Sequence, residues 1–375
     1  MLEHHNFMQF FRNEKLNELY SSMAIRSFAL SMITIFIPIY LLSVGCALKE
    51  IFIFYIILNI SHALATIPAG FISSRYGFKH SIAASTPVVI VFYLMLYSLE
   101  GFGWPLYVVA ILAGVNDGLF WVGYHTDFSI FSTKRVRGRE LGILQTLVSL
   151  SNVAGPFIGG IMLAIFGFKF MFAVVSILLF ISTIPLFFSD DNHQKMPLRF
   201  YEIFKGRSFR DYLALMGKGL QSRAHKIIWP IFIFMNVFGN FTGVGLVTSI
   251  SLCFSLIIPY LSGKVSDMRR RLVLRLSSVA DSFVWFIRLF VSTPLHVFVI
   301  DSVYGMTNTT SIISFNALNY DKANMQKTKA LESIIFREIM IQAGGCSFFV
   351  IMLLISGLAT GFVLGSIGSL LQVLF

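Results

Sequence analysis

Acidic residues are scarce: 18 Asp and Glu stand among 375 residues, and only 13% of the chain carries charge of either sign. A soluble domain needs far more charge than this to keep its surface in water. Three cysteines (Cys46, Cys253 and Cys346) lie too far apart in sequence to form a disulfide framework or a metal cluster. The 28 glycines are too few for a collagen-like fibre. What the chain has in excess is apolar surface. It is 56% hydrophobic with 40 phenylalanines, and its mean hydropathy is +0.77. That composition excludes a disordered chain as well as a single soluble domain, and leaves a protein whose solvent is mostly lipid.

A helix needs about 20 apolar residues to cross the hydrocarbon core. Twelve such segments are legible, at roughly 22–44, 50–72, 81–99, 104–131, 141–165, 168–188, 214–238, 242–263, 273–292, 295–318, 332–356 and 358–375. Stretches such as Ile51–Ile60 and Phe172–Phe180 are apolar all round rather than alternating, which excludes a β-barrel. The net charge of +11 is explained by where the basic residues sit. Every second loop is rich in them: Arg75 and Lys79; Lys134, Arg135, Arg137 and Arg139; Lys195 to Arg210; Lys264 and Arg269 to Arg271; Lys322, Lys327 and Lys329. The loops between hold only Lys49 and Lys169. Basic loops stay in the cytoplasm, so a cell-membrane protein with both termini cytoplasmic is expected, and nucleic acid is not an expected partner. Residues 7–20 form an amphipathic stretch expected to lie on the cytoplasmic interface.

The first half of the chain recurs in the second. Ile37-Pro38-Ile39 matches Trp229-Pro230-Ile231, Gly70-x-x-Ser73 matches Gly263-x-x-Ser266, Gly114-x-x-Asp117 matches Gly305-x-x-Asn308, and Arg139-Glu140 matches Arg337-Glu338. Spacings of roughly 191–198 residues, in order along the chain, mark two parallel six-helix repeats. The expected organisation is a segment 1–21, a bundle 22–188, a linker 189–213 and a bundle 214–375.

Gly70-Phe71-Ile72-Ser73-Ser74-Arg75-Tyr76-Gly77-Phe78-Lys79 resembles the signature loop between helices two and three of the major facilitator superfamily. Gly263-Lys264-Val265-Ser266-Asp267, followed by Arg269-Arg270-Arg271, resembles its repeat between helices eight and nine. Arg137-Gly138-Arg139-Glu140, leading into Gly155-Pro156 and Gly159-Gly160, is similar to the helix-four loop and fifth helix of that family. The resemblance implies an all-α membrane protein of twelve helices in two bundles around a central cavity, working by alternating access, with helix five flexing at the bundle interface. One departure stands out. Ser74 occupies the place where the first loop of the family usually carries an acid, whereas the second loop keeps Asp267.

Ionisable groups at membrane depth are costly, so each is a candidate for function or pairing. Asp117 lies about 20 Å along helix four, with Trp121 and His125 following at four-residue steps on one face. Such a stripe could line a cavity, with Asp117 carrying a cation or a proton, or could serve helix packing. His125 reads more readily as an interfacial residue, and His62 as a packed histidine near Asn59. Asn308 and Asn316 stand opposite Asp117 and His125 in the repeat. Lys226 sits almost half-way across helix seven and would favour an anionic or carboxylate-bearing solute; Trp229 could stack on a ligand or on other rings. Arg288 and Asp301 lie at equal depth on adjacent helices, which invites a structural ion pair.

No motif for nucleotide hydrolysis, a cofactor or a catalytic nucleophile is present. The leading reading is a monomeric secondary transporter of a small solute, driven by a proton or solute gradient. A multidrug-type exporter of amphipathic compounds and a non-transporting receptor or scaffold with a transporter-like fold are the alternatives. The orientation is directly testable. A cysteine at position 200 (Phe200→Cys) should be silent to an impermeant thiol reagent applied outside intact cells; labelling from outside would invert the topology.

Overall fold

The computed structural model describes residues 14–188, 198–254, 256, 258–324, 329–355 and 357–375, and every regular element among them is helical. The first crossing runs through α1 (Glu14–Ile33), a 3-10 turn (Thr34–Phe36) and α2 (Ile37–Ser43). Next come α3 (Leu48–Tyr76), α4 (Phe78–Tyr97), the short α5 (Leu99–Phe102) and α6 (Leu106–Phe131). The long α7 (Arg137–Thr183) supplies crossings five and six, because Gly167 at φ 75° and ψ 177° breaks it in two. Crossing seven is built from α8 (Phe209–Arg223), a π-helical turn (Ala224–Ile228), α9 (Trp229–Ile233) and a second π turn (Phe234–Phe238). Then α10 (Phe241–Phe254) and the first part of α11 (Ile258–Ile287) make crossing eight, and α11 beyond its kink at Arg269 makes crossing nine. Finally α12 (Pro294–Asn324), α13 (Ala330–Leu354) and α14 (Leu358–Leu371) complete the second half.

Six of these helices are separately long and apolar enough to span a membrane among the described residues; Phe209–Phe238 and Phe241–Cys253 qualify together across a bend of 118°. Leu358–Leu374 is apolar but shorter than a full span, and α11 is kinked at Arg269 and carries several charges. The result is a twelve-helix, two-half architecture.

The matched prolines act in different ways. A proline has no N–H to give the carbonyl four residues earlier, so the helix must change pitch there. Ahead of Pro38 the chain tightens into a 3-10 turn; ahead of Pro230 it widens into the π turn that contains Lys226. Within each half, glycines let backbones meet. A Cβ on Gly159 would stand 2.0 Å from the Met32 carbonyl oxygen, and one on Gly344 would stand 2.1 Å from that of Met216. Crossing five thus grips crossing one as crossing eleven grips crossing seven. Between the halves, glycine seams run the length of crossings five and eight. Gly138 and Gly142 abut Gly263 and Pro259 near the basic loops, and Pro156 and Gly160 abut Gly245 and Phe241 near the other end.

The expected interfacial segment is corrected in part. Residues 7–13 lie outside the described residues, as do 189–197 of the linker, but from Glu14 the chain is already α1. Leu19 and Tyr20 are buried in a core with Ile143, Leu144 and Leu186, so this apolar face meets protein rather than lipid. Glu18 is buried too, and takes the ammonium of Lys79 at 2.5 Å. Of the other first-loop residues, Arg75 lies over the Tyr76 ring, Gly77 makes the turn at φ 111°, and Gly70 packs against Ile335.

Arg288 is fully buried, with its guanidinium between the rings of Trp229, Trp285 and Tyr304 at 4.1–4.2 Å. Its Nη2 donates to Asp301 at 2.7 Å, and Trp229 Nε1 donates to the other carboxylate oxygen at 3.0 Å.

Two outcomes follow from this packing. Gly159→Ala should lower the melting temperature of the detergent-solubilised protein by an amount worth about 1–3 kcal/mol, whereas Gly101→Ala, with open space around it, should not. Arg288→Ala should cost about 3–5 kcal/mol by stranding Asp301, and Arg288→Ala/Asp301→Ala should cost less. Equal damage from the single and double changes would show that the charges are not coupled.

Candidate functional site

Polar side chains from both halves converge at mid-depth. From the first half, α1 brings Arg26, α3 brings Asn59 and His62, and α6 brings Asn116, Asp117, Trp121 and His125; from the second, crossing seven brings Arg223 and Lys226 and α13 brings Arg337, Glu338 and Gln342.

Asp117 is half-buried. It accepts a hydrogen bond from Asn116 Nδ2 at 3.0 Å, and Asn116 Oδ1 accepts from Arg26 Nη2 at 3.3 Å. Arg26 itself is buried, with its guanidinium 3.8 Å over the ring of Phe120. Arg26, Arg223 and Lys226 are all within electrostatic reach of Asp117. Lys226 is exposed, yet charges from crossing seven, α6 and α13 act on it. Its ammonium therefore faces an open space inside the bundle rather than lipid. The π turn ahead of Pro230 is what sets it there.

A second cluster lies deeper toward the basic end. Glu338 is buried and bonded to Arg337; His62 Nε2 lies 3.3 Å from one carboxylate oxygen and His125 Nε2 lies 3.7 Å from the other. His125 Nδ1 pairs with the Tyr320 hydroxyl at 2.5 Å, and Trp121 stacks on the imidazole at 5.2 Å between centroids. Arg337 Nη2 donates to Asn316 Oδ1 at 3.0 Å, while Gln342 links Arg223 to His62. Two imidazoles of the first half thus share one carboxylate of the second. Among the described residues no group of His, Cys, Asp and Glu is arranged to hold a metal ion.

Several sequence-predicted positions come together here and others do not. Asp117, Trp121, His125, Lys226 and Asn316 belong to these two clusters. His125 is buried between the halves instead of interfacial, because Tyr320 and Glu338 supply polar partners at depth. Trp229 is taken by Asp301 and the Arg288 cage, so it is not free to stack on a ligand. Asn308 accepts from Gln221 at 3.0 Å and Lys218 at 3.5 Å, beside the buried Asp281, and gives nothing to Asp117. Arg26, Asn116, Arg223, Gln342 and Tyr320 were not singled out as a group. Glu338 was seen only as a repeat marker, although an acid eight residues into α13 is already inside the span and costly there unless paired.

At the basic end the halves are bonded directly. Asp267 accepts from the backbone N–H groups of Gly138 at 2.7 Å and Arg139 at 3.2 Å, so the acid of the second signature loop caps the start of α7. Burial pushes the Asp267 carboxyl above its ordinary range, opposed by these N–H groups and by Arg270. Arg137 reaches Asp321 at 2.6 Å, and Arg270 also bonds it. Gly155, Pro156, Gly159 and Gly160 line the contacts with crossings one and eight, as described above. In the first loop, the Ser74 hydroxyl bonds its own helix at the Phe71 carbonyl, 2.9 Å away.

The geometry has counterparts among known proteins. A structure of a transporter, FucP, in the outward conformation superposes with a TM-score of 0.70 at 10% identity, covering 96% of each chain. A variant of the E. coli fucose:proton symporter FucP gives 0.69 at 12%, again over 96% of each chain. At such identities the likeness shows the fold. No curated protein sequence matches significantly. The family model described as Major Facilitator Superfamily matches residues 19–335, most of the chain. The protein is therefore a multi-pass membrane transporter, not an enzyme, and belongs to the Major Facilitator Superfamily.

Proposed function

We propose that this chain is a secondary active transporter of a small solute, working by alternating access in the cell membrane with both termini cytoplasmic, and that Asp117 is its proton-coupling group. The observation that carries the reading is a charged site at mid-depth divided between two halves. Arg26 and Asp117 stand on one side of it, Arg223 and Lys226 on the other. A ligand touching both sides would interact differently with each arrangement of the halves, which is what coupling requires. The bonds at the basic end support the same reading: Asp267 to Gly138 and Arg139, and Asp321 between Arg137 and Arg270, must separate before that end can open. The bridge from Glu338 to His62 and His125 must separate with them.

Proton coupling is stated in the description of one similar structure, a fucose:proton symporter. For this chain it rests on Asp117, which among the described residues has no cation within 4 Å and bonds only the neutral amide of Asn116. Such a carboxyl is not committed to a direct ion pair among the described residues. The site favours a polar, charged solute over the amphipathic compounds of the multidrug reading.

Asp117→Asn keeps the hydrogen bond and removes the titration. In proteoliposomes, uptake driven by a proton gradient should fall at least about tenfold, while solute exchange without a gradient persists. Normal gradient-driven uptake by the Asn variant would remove Asp117 from the coupling role.

A further inference from the structure

Most of the deeply buried cations of this chain have an acid of their own. Among the described residues, Lys79 has Glu18, Arg137 has Asp321, Arg288 has Asp301 and Arg337 has Glu338. The central site breaks the pattern. Among the described residues, Arg26 bonds the neutral amide of Asn116, Arg223 bonds the neutral amide of Gln342, and Lys226 has no hydrogen-bond partner. No carboxylate among the described residues makes an ion pair within 4 Å with any of the three. Among the described residues, Asp117 is the one acid that acts on all of them; Glu338 acts on Arg223 and Lys226 but is already engaged by Arg337, His62 and His125. Three cations against one free carboxylate leave two positive charges over.

Unused hydrogen-bonding capacity occurs at several buried positions, and the central site holds a cluster of it. Arg26 Nε and Arg223 Nε are buried without an acceptor, and both polar atoms of the fully buried Asn59 amide are unpartnered. A Cβ placed on Gly345 would stand 2.9 Å from Arg223 Nε and 3.0 Å from the Asn59 amide, so these two groups lie side by side. Buried donors without acceptors and charges without counter-charges are costly, and a ligand that satisfies both removes both costs.

Taking the central site as the solute site proposed above, we infer that it binds a small dianion: a solute with two negative charges carried on carboxylate or phosphate oxygens. Two guanidiniums offer paired donors in a fixed plane, matched to carboxylate or phosphate oxygens, and Lys226 supplies a mobile point charge from the open side. Asp117 lies among the same three cations and competes with the ligand for them. Removing its charge therefore raises the surplus from two to three and tightens the dianion, whereas the binding of a neutral solute gains nothing from it.

The test uses the purified full chain in detergent, with thermal unfolding followed at constant ionic strength. The probes are succinate, glycerol phosphate, lactate, fucose and choline. Ligands that bind the folded state raise the melting temperature. Succinate or glycerol phosphate should stabilise the protein, and which of them does separates a dicarboxylate from a phosphate ester; lactate should be weaker, and fucose and choline without effect. Arg26→Gln and Lys226→Met, each first shown to melt cooperatively without ligand, should weaken the dianion about tenfold or more, and Asp117→Asn should tighten it several-fold. A dianion effect that survives both cation variants unchanged would reveal adsorption elsewhere and overturn the inference. Stabilisation by fucose or choline that Lys226→Met abolishes would overturn the dianion while leaving the solute site standing. No response to either dianion would also overturn it, and the gradient-driven uptake of Asp117→Asn would then judge the transport reading separately.

Discussion

The carboxylate of Glu338 is gripped by Arg337 on its own helix and approached by His62 and His125 from the other half of the molecule. In a medium that cannot solvate a bare charge, those contacts are obligatory for whichever charges are present. They locate α13 against α3 and α6, and through Gln342 and Asn316 they extend to crossing seven and α12. The arrangement of the halves near mid-depth follows from where this one acid finds its partners. The bonds of Asp267 and Asp321 nearer the basic loops act in the same direction.

The internal repeat is preserved in packing and abandoned in chemistry. Crossings one and seven are both interrupted at a proline, and both are gripped through glycine by a helix of their own half. Yet Pro38 follows a tight turn among apolar residues, and Pro230 follows a wide one that turns Lys226 into the interior. The acid Asp117 corresponds to the amide Asn308, which serves a separate cluster around Asp281. Shared backbone geometry lets the halves move as similar bodies, while unlike side chains make the surface between them polar and unsymmetrical.

Much of the architecture was legible because lipid imposes length and composition on every crossing: the twelve segments and the break near Gly239 follow from runs of apolar residues and their interruptions, and the two-half organisation from the recurrence of Pro38, Gly70 and Gly114 at Pro230, Gly263 and Gly305. The central site was legible only in part. Asp117 and Lys226 announce themselves by depth alone, since nothing near them in sequence could neutralise them. Arg26 and Arg223 were hidden by their position in the basic-end halves of helices one and seven, where a long side chain can reach the interface unaided. Trp229 takes the ring-packing course of the two the sequence left open. Asn308 was misplaced for a different reason. Repeat equivalence says which turn of a helix a residue occupies, but the neighbouring helix decides what it touches, and here Gln221 was the neighbour.

The seam between crossings five and eight, where glycines and prolines meet backbone to backbone at both ends, has a mechanical meaning. Side chains that interlock must be withdrawn before two surfaces can turn against each other. Here glycine and proline backbone faces backbone where the two helices come closest, and few side chains interlock. What pins the seam is polar: Asp267 holds Gly138 and Arg139 at one end, and Ser249 accepts the Phe157 N–H nearer the other. The two surfaces are thus smooth in shape and latched by hydrogen bonds at a few points.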